Sequence, residues 1–354
     1  MKKIGLNSRL LLVSIGLGWL NAGCDTGDNG TTPQAGCRIQ RIVSTTKTGF
    51  GATGTAETVY DYDAAGNLLK KAETNAQRHS AENSSQTTTT ETYAYNADNF
   101  LTVYTYSLEQ KSDFYGKPSS YQVTQNKAYT YTDNRLTGYR LTSVVPSYYT
   151  PGVPQQVTTV ITGTYEYDAS GQLVKEIIAN GPTRTYRNGQ LVSYGEGDGS
   201  ANSQSFTLEN GLVVQARFPG TNSVGTISTL KQIREYNEQR RLIKHQEFVN
   251  DTLREYHTQE WQTGKPAALA VPLFKGHPIL KEAYGEPGVL TKYSSYFINR
   301  QQGNIAKPYV ERTYVNQLNA QGYVTNTKEE SMHFTNGQKQ PDVTTTVYTY
   351  TGCQ

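Results

Sequence analysis

Several short strings in this chain have residue types and spacing that could do chemistry. Gly49, Gly51 and Gly54 of GFGATG fit G-x-G-x-x-G, which brings backbone amides against a dinucleotide phosphate when a helix follows. Here TAETVYDYD follows, an alternating run that reads as a strand, so the glycines read as a loop. DYDAAG begins like a calcium loop at Asp61 and Asp63. Its fifth position is Ala65 and its twelfth Ala72, where a bidentate carboxylate is needed. His79, His245, His257, His277 and His333 lack metal-ligand spacing, and His257 and Glu260 are three apart, which places them on opposite faces of a strand. GEGDGS, from 195 to 200, reads as a connection. No nucleophile elbow or phosphate loop is present, so the sequence predicts no catalytic residue, metal or cofactor.

The remaining functional signal is aromatic. Tyr-x-Tyr doublets occur at Tyr60 and Tyr62, Tyr93 and Tyr95, Tyr104 and Tyr106, Tyr129 and Tyr131, Tyr165 and Tyr167, and Tyr348 and Tyr350. Ring faces with adjacent hydroxyls suit sugar rings or extended polymers. The candidate ligand-contact residues are therefore Tyr60, Tyr62, Tyr93, Tyr95, Tyr129, Tyr131, Tyr165 and Tyr167. The alternative is that these rings simply pack a polar sheet.

The doublets belong to a degenerate repeat of aromatic, x, aromatic, polar bend, aliphatic, as in VYDYDAAGNLLKK (59–71) and TYEYDASGQLVKE (164–176). Each copy alternates with period two and so predicts a β-hairpin. Asp168 to Gly171 reads as a type I turn with a bulge, whereas Asn188-Gly189, Asn210-Gly211 and Asn336-Gly337 suit two-residue type I′ turns. Asp63, Asn96, Asn237 and Asn319 replace Asp168 in other copies, which makes it a turn residue. About eight hairpins and two terminal runs predict roughly 16 strands, too many for an ordinary open sheet. The expected fold is all-β, a large antiparallel barrel or strongly coiled sheet. The single helical candidate is 277–297, and HPILKEAYGEPGVLTKYSSYF interrupts it with Gly and Pro.

Residues 1–23 differ in kind: Lys2, Lys3 and Arg9 precede an apolar run from Leu10 to Leu20, the form of a secretory signal. Three of the 33 Lys and Arg, and none of the 30 Asp and Glu, precede Cys24, so the rest of the chain carries 30 of each. That neutrality argues against a nucleic-acid partner. Cys37 and Cys353 bracket the remaining domain, 37–354. An even pair in an exported protein predicts a disulfide, formed if the runs they bound pair antiparallel. Mean hydropathy is −0.63, and Thr, Gln and Glu occupy the faces away from the large residues, which predicts a barrel standing in water.

LNAGC, residues 20–24, resembles the lipobox of bacterial lipoproteins, with Asn21 in place of the preferred Leu; it implies lipidation at Cys24. Residues 24–36 then form a flexible tether. TYEYDASGQLVKE resembles the YD repeat of Rhs and teneurin-type proteins. The lipobox, the Tyr-rich hairpins, LNAQGYVTNTKEES (318–331) and the terminal TVYTYTGC together resemble secreted lipoproteins of Bacteroidota carrying a domain of unknown function described as porin-like. That likeness implies a barrel at the outer membrane, anchored only through its lipid, and transfers no catalytic residue. Asp251 to Leu253 resembles the short O-glycosylation signal of these bacteria. The expected role is a non-enzymatic binding or structural one with a glycan or protein partner. A glycan-binding module or carbohydrate-active enzyme is the first alternative. An Rhs-like shell fragment is the second, and it requires an open coil and free thiols.

Overall fold

The computed structural model describes residues 37–49, 51–80, 82–147, 155–195, 204–221, 227–271, 274–275, 277, 288–298, 308–334 and 341–353. The strands are β1 (Arg38–Lys47), β2 (Thr53–Tyr62), β3 (Leu68–Arg78), β4 (Asn83–Tyr95), β5 (Leu101–Phe114), β6 (Lys117–Thr132) and β7 (Arg135–Ser147). They continue as β8 (Gln155–Tyr167), β9 (Leu173–Ile178), β10 (Thr183–Arg187), β11 (Gln190–Gly195), β12 (Gln204–Glu209), β13 (Leu212–Thr221) and β14 (Ile227–Tyr236). The last six are β15 (Leu242–Val249), β16 (Thr252–Gln262), β17 (Val289–Phe297), β18 (Val310–Leu318), β19 (Val324–His333) and β20 (Asp342–Thr351). Each pairs antiparallel with the next, and β20 returns to β1, closing a 20-stranded up-and-down barrel with no free edge. The expected 16 strands become 20. The pair β16 and β17 carries no Tyr-x-Tyr repeat, and a long connection separates its strands. Within the helical candidate, Val289–Phe297 is strand, and residues 278–287 lie outside the described residues.

The closing seam follows the expected pairing, with Ile39 opposite Tyr350 and Thr46 opposite Thr344. Cys37 and Cys353 are disulfide-bonded at its end. Farther along, the hydroxyls of Ser44 and Thr346 lie 2.8 Å apart and those of Thr46 and Thr344 2.9 Å apart. A closed sheet with bonded cysteines is the opposite of what an Rhs-like open coil requires.

Most turns at the disulfide end follow one plan. Asp63, Asn96, Asp168, Asn237 and Asn319 each accept, through Oδ1, the backbone N–H four residues on, at 2.8 to 2.9 Å. Three residues after each, the backbone turns left-handed, at Gly66, Asn99, Gly171, Arg240 and Gly322. Asp168 also accepts from the Ser170 hydroxyl and amide, and the Ser170 hydroxyl bond, followed by that of Gln172, holds its carboxyl below the ordinary range. Asn supplies the same Oδ1 at 96, 237 and 319, so Asp168→Asn is expected to leave the thermal midpoint within about 1 °C of the parent in a calorimetric scan. Asn188-Gly189 and Asn210-Gly211 have positive φ at both positions, as a type I′ turn requires. Asn336-Gly337 lies outside the described residues.

A segment between β16 and β17 lies inside the barrel at this end. Lys265 bridges to Tyr323 in the β18–β19 turn, and Lys275 bridges to Phe100 in the β4–β5 turn. Those turns are six strand positions apart, about 29 Å of wall at 4.8 Å per strand. The chain between Lys265 and Lys275 includes a 3-10 turn, Ala267–Ala270, which shortens its reach. The described residues of this strap, between Lys265 and His277, lie against the inner wall between the two turns. Ala270 and Val271 bury against Ile39, Tyr60, Leu68, Tyr93 and Leu101, which identifies the tyrosine face as the inner one. Alternation then turns Thr88, Thr90 and Thr92 of β4 outward, with the Arg41–Glu57, Glu109–Lys111 and Lys328–Glu330 ion pairs.

Candidate functional site

The inner wall places the sequence-predicted tyrosines in two tiers, and a backbone irregularity explains the lower one. Just after each turn the pairing slips: Tyr62 faces Leu68 while Asp61 faces Lys70, leaving Leu69 bulged. The same slip follows Tyr95, Tyr131 and Tyr167, where Leu101, Leu136 and Leu173 are the partners. A bulge disrupts the ladder, so a nearby carbonyl needs another donor. The neighbouring hairpin supplies it. The hydroxyls of Tyr62, Tyr95, Tyr131 and Tyr167 donate to the carbonyls of Ile39, Leu68, Leu101 and Leu136 at 2.7 to 2.8 Å. Tyr236 and Tyr350 do the same to Val213 and Val324. Where the ring changes, the bond persists: Trp261 Nε1 donates to Leu242, and Asn316 Nδ2 to Leu290. The second tyrosine of a doublet is thus a seal between hairpins.

The first tyrosine of a doublet lies one tier deeper in the lumen, among buried charges. Glu91 accepts from Tyr93 at 2.7 Å, Tyr104 at 3.2 Å and Lys71 at 2.8 Å. Glu176, 1% exposed, accepts from Tyr139 at 3.1 Å, Tyr186 at 3.3 Å and Arg184 at 2.7 Å. Burial, followed by the adjacent carboxylate, raises the pKa of Tyr93, Tyr104 and Tyr139, so these phenols stay protonated donors. Tyr60 is buried with the strap against Tyr93, and Tyr93 stacks on Phe274 with centroids 5.3 Å apart.

On β14 to β17 the inner wall carries a third polar group. His257 Nδ1 lies 2.7 Å from the Tyr293 hydroxyl and its Nε2 3.3 Å from Glu255, so both ring nitrogens are engaged. The His245 ring lies tilted beside that of His257, with centroids 5.6 Å apart, and burial lowers its pKa to about 4. Among the described residues no group of His, Cys, Asp and Glu is arranged to hold a metal ion. Glu260 faces away from His257, as their spacing predicted. Gly49 and Gly51 of the GFGATG string lie in the β1–β2 connection, where Gly51 has positive φ, while Gly54 is already in β2 and no helix follows. Cys24 lies outside the described residues.

Among the described residues the hydroxyls of Tyr60, Tyr129 and Tyr165 have no hydrogen-bond partner, and the Tyr129 and Tyr165 rings lie beside Lys127 and Tyr139. Sequence reasoning passed over Lys127, although it is two residues before Tyr129 and so shares its face. A separate groove of about 850 Å³ lies at the far ends of β2 to β6. Thr53, Thr55, Arg78, Gln86, Lys111 and Ser120 line it, and it contains no aromatic ring.

No family model matches the chain, and no curated protein matches it. Among solved structures it is similar to the crystal structure of a porin-like protein from Bacteroides uniformis, at 16% identity over 88% of this chain and 97% of that one, with a TM-score of 0.36. The barrel assignment rests on this chain's own pairing of β1 with β20.

Proposed function

We propose that the chain is an exported, lipid-anchored and non-enzymatic binding protein of the outer membrane, whose barrel stands in water as a cup. In this reading residues 1–23 are removed, Cys24 carries the lipid, and residues 24–36 tether the barrel at the end where Cys37 and Cys353 meet. The observation that carries it is the polarity of the outer wall. A barrel in lipid needs an outward apolar band on every strand. The outward faces of β4 and β6 instead present Ser84, Gln86, Thr88, Thr90 and Thr92, and Gln122, Thr124, Asn126, Thr130 and Thr132. Large exposed apolar residues such as Val160, Val315 and Val347 are scattered among them. Chain of the β16–β17 connection packs inside the disulfide end over the inner faces of β1 to β5, which narrows the lumen there and favours holding a ligand over passing one through. The test is extraction. With Cys24→Ser the exported chain is expected in the aqueous fraction without detergent, monodisperse and with its disulfide formed. A chain that still needs detergent would overturn the reading.

A further inference from the structure

We infer that Lys127 of β6, His277 of the strap and the hydroxyls of Tyr129 and Tyr165 form a binding site for the carboxylate of an acidic sugar of the uronic acid class. This rests on the cup reading and names what the cup holds. The Lys127 ammonium lies 3.9 Å from the centroid of the Tyr139 ring and 5.1 Å from that of Tyr129. It has no hydrogen-bond or ion-pair partner among the described residues. Glu176 is the nearby carboxylate, but Tyr139, Tyr186 and Arg184 already occupy its oxygens. His277 meets Tyr129 edge to face, with centroids 4.9 Å apart, and its buried Nε2 has no partner among the described residues. The Lys127 ammonium is held over two ring faces and keeps solvent contact, whereas the buried His277 Nε2 is unsatisfied, a costly arrangement that a ligand reaching both groups would relieve.

The charges facing this space are Lys127, the neighbouring Arg184 and the single carboxylate of Glu176, a surplus of one positive charge. Burial, followed by Lys127, lowers the His277 pKa to about 4, so near neutral pH its imidazole is uncharged and donates or accepts one hydrogen bond. One surplus charge, phenol donors and aromatic rings fit a monoanionic sugar better than a phosphate. Burial, opposed by Glu176 and reinforced by Arg184, brings the Lys127 amine down to about 8. A bound carboxylate favours the ammonium, so apparent affinity should fall about tenfold per pH unit above that value.

The experiment is isothermal titration of the full mature chain with D-glucuronate, with D-glucose as its neutral counterpart, from pH 6.5 to pH 10. Glucuronate is expected to bind at least tenfold tighter than glucose, with that loss above about pH 8, and Lys127→Gln is expected to remove the difference while the circular dichroism spectrum is retained. Lys127→Arg, which keeps the charge, is expected to restore binding near pH 7 and to abolish the loss above pH 8. Equal binding of the two sugars, or glucuronate binding that Lys127→Gln leaves unchanged, would overturn the site while leaving the cup reading standing. Absence of any heat with glucuronate would mean that water alone satisfies these groups, and would overturn it too.

Discussion

Replacing Cys37 and Cys353 together by serine is expected to lower the thermal midpoint by about 10 °C under non-reducing conditions. The bond joins residues 316 apart in sequence. In the chain-entropy description a loop of that length stabilises the folded state by about 6 kcal/mol, and a chain of this size gains roughly 1.5 to 2 °C per kcal/mol. The location matters as much as the length. The disulfide lies where the first strand meets the last, and the β1–β20 register is the only pairing that converts an open sheet into a ring. Without it, both strands become edges whenever the seam opens. Calorimetry of the double variant checks this, and a midpoint unchanged from the oxidised parent would show that the seam holds by strand pairing alone.

A comparable loss is expected from Glu176→Ala, about 3 to 5 kcal/mol or 6 to 10 °C in the same measurement. The carboxylate is 1% exposed and the Arg184 side chain 25%. Removing it leaves a half-buried guanidinium and two buried phenols to find new partners at once. Glu57→Ala is the control. The Arg41–Glu57 pair is shorter, at 2.6 Å, but its side chains are 54% and 45% exposed, so solvent screens it. Its loss should fall within about 1 kcal/mol. If the two substitutions prove equal, burial is not what gives Glu176 its weight.

The hairpins and their turns were legible because turn chemistry is local: the Asp or Asn, the left-handed residue and the alternating run lie within about a dozen residues. The terminal pairing was legible from two cysteines. The inner-wall contacts were not, and the bulges explain why. Leu173 and Glu176 are three apart, which in an uninterrupted strand sends them to opposite faces. The extra residue Val174 restores Glu176 to the lumen beside Tyr139. The same slip at Leu69 and Thr102 brings Lys71 and Tyr104 inward toward Glu91. A period-two reading cannot see an inserted residue. The tyrosines were found as a set, but their hydroxyls bond across hairpins to carbonyls some 20 to 30 positions away. Their spacing alone therefore left packing and ligand contact undivided. The strap was missed because it shares no residue pattern with the repeat.

The side-chain donor that most hairpins extend to a neighbour's bulge makes such a hairpin an interchangeable stave. Everything needed to join the next one travels within a unit: a turn, a bulge that leaves a carbonyl, and a ring that reaches the carbonyl before it. Girth is therefore a matter of how many staves are assembled. A duplication or loss of one whole hairpin would widen or narrow the vessel by two strands and leave each remaining joint as it was. Only the strap, fitted between the β18–β19 and β4–β5 turns, would register the change.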